Sequence, residues 1–259
     1  MASAKDIIIK PINARTANAK CKQIHYSGKV VPNSQLHFGI FLNGKLEGVA
    51  QYGGSIDKRK VLPLVKGTLW SGILELNRMA FSDALPKYSE SRAMSIMHKI
   101  IKKNYPQVKW ILSFSDACQC GDGAIYRASG FYLTGVKKNT TMLRTPDGEV
   151  VADKTFNNTA TKIYKGFKKS DCKKLTGNQL RYILFLDKSY KEKLTVPILP
   201  FSKIDEMGAG MYKGERLTIA GRNDNISNKR ATKANSGDQL ECGGAIPTHT
   251  LQSLSLIHI

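Results

Sequence analysis

The chain has 259 residues, room for one large domain or one domain with appendages. Hydrophobic residues make up 41%, which excludes the class of chains too polar to build a core. Lys and Arg number 40 against 20 Asp and Glu, a formal net charge of +20, so the expected partner is a polyanion, DNA or RNA first, since each neutralised phosphate releases counterions; an anionic membrane, and charge that serves solubility alone, are the alternatives. No apolar run is long enough to span a bilayer, and the N-terminus lacks an apolar signal core. Five cysteines at irregular spacing (Cys21, Cys118, Cys120, Cys172, Cys242) make no disulfide framework, so the expected compartment is a reducing cytoplasm.

In chain order, Asp6 to Lys10 reads as a strand stopped by Pro11, and Thr16 to Ile24 as a short helix. Leu36 to Leu42 and Lys45 to Tyr52 read as antiparallel strands joined at Asn43-Gly44, a pair that tolerates the positive φ of a tight hairpin turn. Ile73 to Phe81 is a further strand. A helix is expected from Ser89 to Asn104, because Ala93, Met97, Ile100 and Ile101 share one face; Ser89 or Ser91 is its expected cap. Lys109 to Ser115 reads as a strand. The turn Cys120-Gly121-Asp122-Gly123 leads to a short helix over Ala124 to Ser129, and Phe131 to Val136 is another strand. This alternation predicts an α/β fold, a mixed sheet covered by helices.

From Thr161 to Lys193 lysines crowd together, with Tyr164, Phe167, Tyr182, Phe185 and Tyr190 interleaved. Lys165, Lys168, Lys169, Lys173, Lys174 and Arg181 are candidate phosphate contacts, and the rings are candidate stacking surfaces. The alternative is a packed element whose aromatics are core and whose lysines are its solvated side. The expected domain is 1–204. Residues 205–259, rich in Gly, Asn, Ser and Lys, read as a disordered basic tail, and 254–259 resemble a translated sequencing adapter rather than part of the fold.

Three places carry chemistry-bearing residues. His25 and Tyr26, at a helix end, suit acid/base work or metal ligation, though such pairs also serve as caps and packing. Ser115 and Asp116 end the Trp110 strand, where ligands of open α/β sheets sit; an Asp there acts as a base or binds a metal, or merely caps a turn. Gly121-Asp122-Gly123 lets backbone approach a ligand closely, with Tyr126 on the first turn after it, or is simply a tight turn. Cys118-x-Cys120 lacks zinc-knuckle spacing. No Walker loop, His-Glu-x-x-His or Gly-x-Ser-x-Gly motif is present.

Taken together, HYSG at His25 to Gly28, GVAQYG at Gly48 to Gly53, ELNRMAF at Glu75 to Phe81, SFSDACQCGDGAIYRASGFYLTG at Ser113 to Gly135 and RYILFLDKSYKEKL at Arg181 to Leu194 resemble the Mom proteins of Mu-like phages. The resemblance covers roughly residues 5 to 203 and rests on the order and spacing of the motifs. It implies a divergent GNAT acetyltransferase-like fold. The implied activity adds a carbamoylmethyl-type group to the exocyclic amine of adenine in double-stranded DNA, in the host cytoplasm, hiding phage DNA from restriction. It implies acetyl-CoA or a related acyl donor, and iron as a metal. On the matching positions, His25, Tyr26, Ser115, Asp116 and Tyr126 are the catalytic candidates, with His25, Tyr26 and Asp116 as metal candidates. Asn77, Arg78, Lys87, Ser89, Ser91 and Arg92 are the candidates for cofactor contact. The stretch Leu85 to Ala93 departs from the GNAT pyrophosphate loop in having no glycine; Lys87 and Arg92 are the substitute cations. No membrane or protein partner is implied. The rival readings are an ordinary GNAT enzyme acting on a protein or small amine, and a non-enzymatic basic nucleic-acid binder.

Overall fold

The computed structural model describes residues 2–118, 121–158, 160–212 and 215–216. Strand β1 (Ile8–Pro11) precedes helix α1 (Ala14–Ile24), whose first turn is capped by the Asn13 side chain accepting from the Thr16 N–H at 2.8 Å. Pro11, expected to stop β1, is its last residue; β1 is an edge strand, where a missing N–H costs no ladder bond. Strands β2 (Ser34–Leu42) and β3 (Lys45–Gly53) form the expected hairpin, with Asn43 at φ 50° and Gly44 at φ 77°.

After β3 the chain makes a short basic helix, α2 (Lys58–Val61), then runs into β4 (Ile73–Phe81). The long helix α3 (Ser89–Asn104) lies where its apolar spacing placed it, and β5 (Trp110–Asp116) follows. Neither serine caps α3: Tyr88 takes the cap position at φ 72° with no side-chain hydrogen bond, and Ser91 instead donates its hydroxyl to the Tyr88 carbonyl at 3.2 Å. Helix α4 (Ala124–Ala128) and strand β6 (Tyr132–Arg144) come next, the strand well longer than its apolar start indicated. An insertion holds β7 (Val150–Ala152), α5 (Lys154–Asn157) and the ribbon β8 (Ile163–Tyr164) with β9 (Phe167–Lys168).

The lysine-rich stretch then becomes β10 (Lys173–Phe185), in the middle of the sheet. The strand order is β1-β2-β3-β4-β5-β10-β6-β7, eight strands in all. Every pairing in it is antiparallel except β4 with β5. On one face α3 buries Ala93, Met94, Met97 and Ile101 in the cluster that holds Tyr52, Leu76 and Ile111. Full burial of such a side chain contributes about 1.5–3 kcal/mol, so this face fixes α3 firmly. The other face carries Trp110, Leu112, Ile183 and Phe185 with Val61, Leu64 and Val65, while Ala17 and Cys21 seat α1 on Val49 and Ala80.

Tyr182 is fully buried, so among the described aromatics of the basic stretch it belongs to the core and offers no stacking surface. The packed body also runs past residue 204. Helix α6 (Ser202–Glu206) buries Ile204, and Met211 is buried with its N–H and carbonyl bonded to Asp122. The rest of the expected tail, 217–259, lies outside the described residues. Among the described residues no helix is long and apolar enough to cross a membrane.

Candidate active site

The single parallel pairing is short. Strands β4 and β5 are in register only at Ile73, Leu74 and Glu75 against Trp110, Ile111 and Leu112. Beyond that they separate: β4 stays with β3 to Phe81, and β5 stays with β10 to Asp116. The facing edges of Leu76–Phe81 and Ser113–Asp116 therefore border a wedge-shaped opening, whose backbone groups suit an extended ligand. At its apex β4 bulges. Gln51 pairs with Arg78 and Tyr52 with Leu76, which leaves Asn77 as the extra residue.

The first lip is built on β4. Asn77 is buried, and its side-chain oxygen accepts from the Ser34 hydroxyl at 3.0 Å. Arg78 donates to the Asn77 carbonyl at 2.7 Å and to the Lys29 carbonyl at 3.3 Å, so its guanidinium is fixed between β4 and the loop after α1. That loop carries His25, the C-terminal cap of α1, whose N–H reaches the Cys21 carbonyl at 2.9 Å. Burial, and then the charge of Arg78, hold the His25 imidazole down at about 4, so it is neutral at pH 7. Its Nδ1 accepts the Ser27 N–H at 3.1 Å, with the Ser27 hydroxyl at 2.8 Å. An N–H can only donate, so the ring proton of the neutral form sits on Nε2. Tyr26 stacks on this ring, centroids 4.3 Å apart, and is 53% exposed.

The second lip is the end of β5. The Asp116 carboxylate accepts the Cys118 N–H at 2.9 Å, an arrangement that turns the chain and aims the strand end. Ser115 is buried and donates to the Gly121 carbonyl at 2.6 Å, which makes it a tie for the glycine turn. Tyr126 packs between Phe131 and Tyr182, with centroids at 5.3 and 5.2 Å. Gly123, at φ 79°, is required by space as well as backbone: a Cβ there would sit 2.4 Å from Tyr182. The structure thus gathers His25, Tyr26, Asn77 and Arg78 on one strand's side, and Ser115, Asp116 and Tyr126 on the other's.

The turn residue Asp122 and, with no signal in the sequence, Glu149 and the residues behind α3 add to these. Asp122 is buried and gathers Arg127 at 3.0 Å and the Met211 N–H at 3.3 Å, while its carbonyl accepts from Tyr182. Glu149, in the insertion, binds Lys29 at 2.8 Å, Lys165 at 2.8 Å and the Tyr164 hydroxyl at 3.1 Å. These partners hold its carboxyl down at about 2. The expected DNA contact Lys165 is thereby joined to the His25 loop. On the α3 side, the buried Tyr52 hydroxyl, His98 Nε2, Ser113 hydroxyl and Ser89 hydroxyl have no hydrogen-bond partner among the described residues. Burial pushes the Tyr52 phenol far up and the His98 imidazole down to about 4.

Of the remaining candidates, Lys168, Lys169, Lys173 and Lys174 are exposed, Lys169 lying 3.6 Å from Asp153. Arg181 is turned inward: its guanidinium donates to the Thr134 hydroxyl at 3.1 Å and carbonyl at 2.6 Å, which ties β10 to β6 and removes it from the phosphate-contacting set. Lys87 lies over the exposed Tyr88 ring at 5.2 Å, ahead of α3. Among the described residues no three His, Cys, Asp or Glu side chains converge on a metal site, and the Nε2 proton of His25 occupies the lone pair a metal would use. Among the described residues, then, no ligand set for iron is assembled. Cys120 lies outside the described residues.

The class defined by this geometry is a mixed α/β sheet, covered by helices and opened between two parallel strands. Solved acetyltransferases are among the structures similar to it. That for ribosomal-protein-S18-alanine from Escherichia coli is 13% identical, covering 70% of this chain and 94% of its own, at a TM-score of 0.41. An N-acetyltransferase from Staphylococcus aureus Mu50 is 14% identical, covering 70% and 99%, also at 0.41. Within that class the chain belongs to the Mom protein family, whose model matches residues 6–203. It is 35% identical over 202 residues to the methylcarbamoylase mom of Escherichia phage Mu, spanning 75% of this chain and 82% of that protein.

Proposed function

We propose that this protein is a transferase that modifies the exocyclic amine of adenine in DNA with a carbamoylmethyl-type group, so that phage DNA escapes host restriction. Membership of the Mom family supports the class of reaction. The observation that carries the reading is the opening between β4 and β5, with Arg78 and neutral His25 on one lip and Asp116 on the other.

The opening fits an acyl-CoA donor. Facing strand edges offer backbone groups to an amide-bearing arm, and the unpartnered Ser113 hydroxyl lies just past the point where pairing ends. Ser89, the first residue of α3, has a buried hydroxyl that also lacks a partner; a helix start with Lys87 and Arg92 beside it suits phosphate. When bound, an acyl-CoA would supply a thioester carbonyl for the amine to attack, with the CoA thiol as leaving group; the amide nitrogen of a carbamoylmethyl group would come from a separate nitrogen donor. The chain's own residues do the rest. Exposed lysines of the insertion and of β10 hold the duplex by its phosphates. The adenine leaves the stack, since its amine is otherwise base-paired, and the exposed face of Tyr26 receives it. Asp116 accepts the amine's proton. His25, with its proton on Nε2, donates a hydrogen bond to the base or the transferred group.

The test is to express the protein, digest cellular DNA to nucleosides and weigh them. A modified deoxyadenosine is expected with the native chain. Asp116→Asn should remove it while DNA binding persists; a variant that still yields the product overturns the role given to Asp116.

A further inference from the structure

A base can be turned out of a duplex only if something holds the vacated stack open, and apolar side chains pushed between base steps are the usual means. On this chain two apolar residues stand further into solvent than any role in folding requires. Ile56 is 86% exposed and Leu69 is 77% exposed. Single exposed apolar residues are ordinary. These two differ in their surroundings.

Both lie on the connection between β3 and β4, and that connection is tied to the candidate site. The Asn33 side-chain amide donates to the Gly54 carbonyl, two residues before Ile56. Gly53, where the connection begins, packs so closely on the site residue Asn77 that a Cβ there would stand 2.8 Å from its side-chain oxygen. The two arms of the connection meet: Lys58 lies 5.7 Å from the Trp70 ring centre, next to Leu69, and a Cβ on Gly54 would stand 3.6 Å from the same ring. The connection is also strongly basic. Lys58, Arg59 and Lys60 form α2, and Lys66 follows; Asp57, its one acid, caps α2 and pairs with Lys60 at 2.9 Å. Cations set around protruding aliphatic tips match a duplex, whose phosphates flank its stacked bases.

We propose that Ile56 and Leu69 are a wedge that enters the DNA stack beside the target adenine, while Lys58, Arg59 and Lys66 grip the neighbouring phosphates. This rests on the reading of the protein as a DNA-modifying enzyme and names the surface that opens its substrate. The side chains that meet the opened step are aliphatic and make no base-specific hydrogen bonds, so the wedge reads ease of unstacking: flexible pyrimidine–purine steps open more readily than stiff A-tracts.

The probe is a short duplex with 2-aminopurine in place of one adenine, whose fluorescence rises when the base unstacks. The native chain is expected to bind it and raise the signal. Ile56→Ala with Leu69→Ala should bind within about threefold, because phosphate contacts dominate affinity, yet leave the fluorescence near that of free duplex. Placing an abasic site opposite the probe should restore the signal to the double variant. Both positions are exposed, and an unchanged melting temperature confirms the fold. A double variant that raises the signal as the native chain does overturns the wedge, as does a native chain that binds without any rise. Either result leaves the modified deoxyadenosine of cellular DNA as a separate readout, so the wedge fails without the enzyme reading failing.

Discussion

Glu149→Gln tests whether the insertion braces the His25 loop. The native carboxylate bonds Lys29 and Lys165, each at 2.8 Å, and accepts from Tyr164, and these contacts hold it from its ordinary 4.5 down to about 2. At face value that displacement is roughly 3 kcal/mol. The lysine side chains are 45% and 56% exposed, so water screens both pairs, and about 1–2 kcal/mol is the expected loss at pH 7. The sign follows from the depressed folded-state value: the stabilisation is whole above about 4.5 and fades as pH falls towards about 2. Urea unfolding of both proteins at pH 7, 5, 4 and 3 measures it. The difference should be largest at pH 7 and 5 and shrink at 4 and 3. Equal stability at pH 7, or a gap that persists undiminished at pH 3, refutes the brace. Activity should fall with it, since Lys29 also offers its carbonyl to Arg78.

Gly123→Ala should destabilise by about 2–5 kcal/mol, adding a left-handed backbone cost to a Cβ driven into the buried Tyr182 ring, and denaturant titration reads it. Nitrogen-15 NMR of the His25 ring should show the neutral Nε2–H form from pH 8 down to 5. Because its folded value is depressed, the ring's contribution to stability is present above its ordinary 6.5 and lost as pH falls through about 4. Arg78→Gln should raise that titration only modestly, since burial is the larger cause.

The sheet was legible where side-chain periodicity decides local structure. The Asn43-Gly44 hairpin, the run Ile73–Phe81 and the apolar stripe of Ser89–Asn104 all emerge with near-correct limits. What periodicity cannot carry is register between distant segments. Nothing local in Lys173–Phe185 says that it inserts between β5 and β6, because its lysines lie towards the start while its buried residues, Leu180, Tyr182 and Ile183, come late. Arg181 misled for the same reason: its charge suggested phosphate, whereas Thr134 across the sheet takes its hydrogen bonds. The course of the chain past residue 204 is not legible, because Ile204, Ala209 and Met211 enter the main core as scattered residues, with Met211 also bonded to the buried Asp122, and make no apolar period of their own. At the proposed site, His25 and Asp116 are proposed from residue type and position in the sequence. The brace of Glu149 on Lys29 was not readable, because 120 residues separate them in sequence.

The most direct measurement of the central claim is the nucleoside mass profile of DNA from cells making this protein in folded form. The account predicts a heavier deoxyadenosine that appears with the native chain and vanishes with Asp116→Asn. An unmodified deoxyadenosine profile alongside soluble, folded, DNA-binding protein would contradict it and leave a basic binder in place of an enzyme.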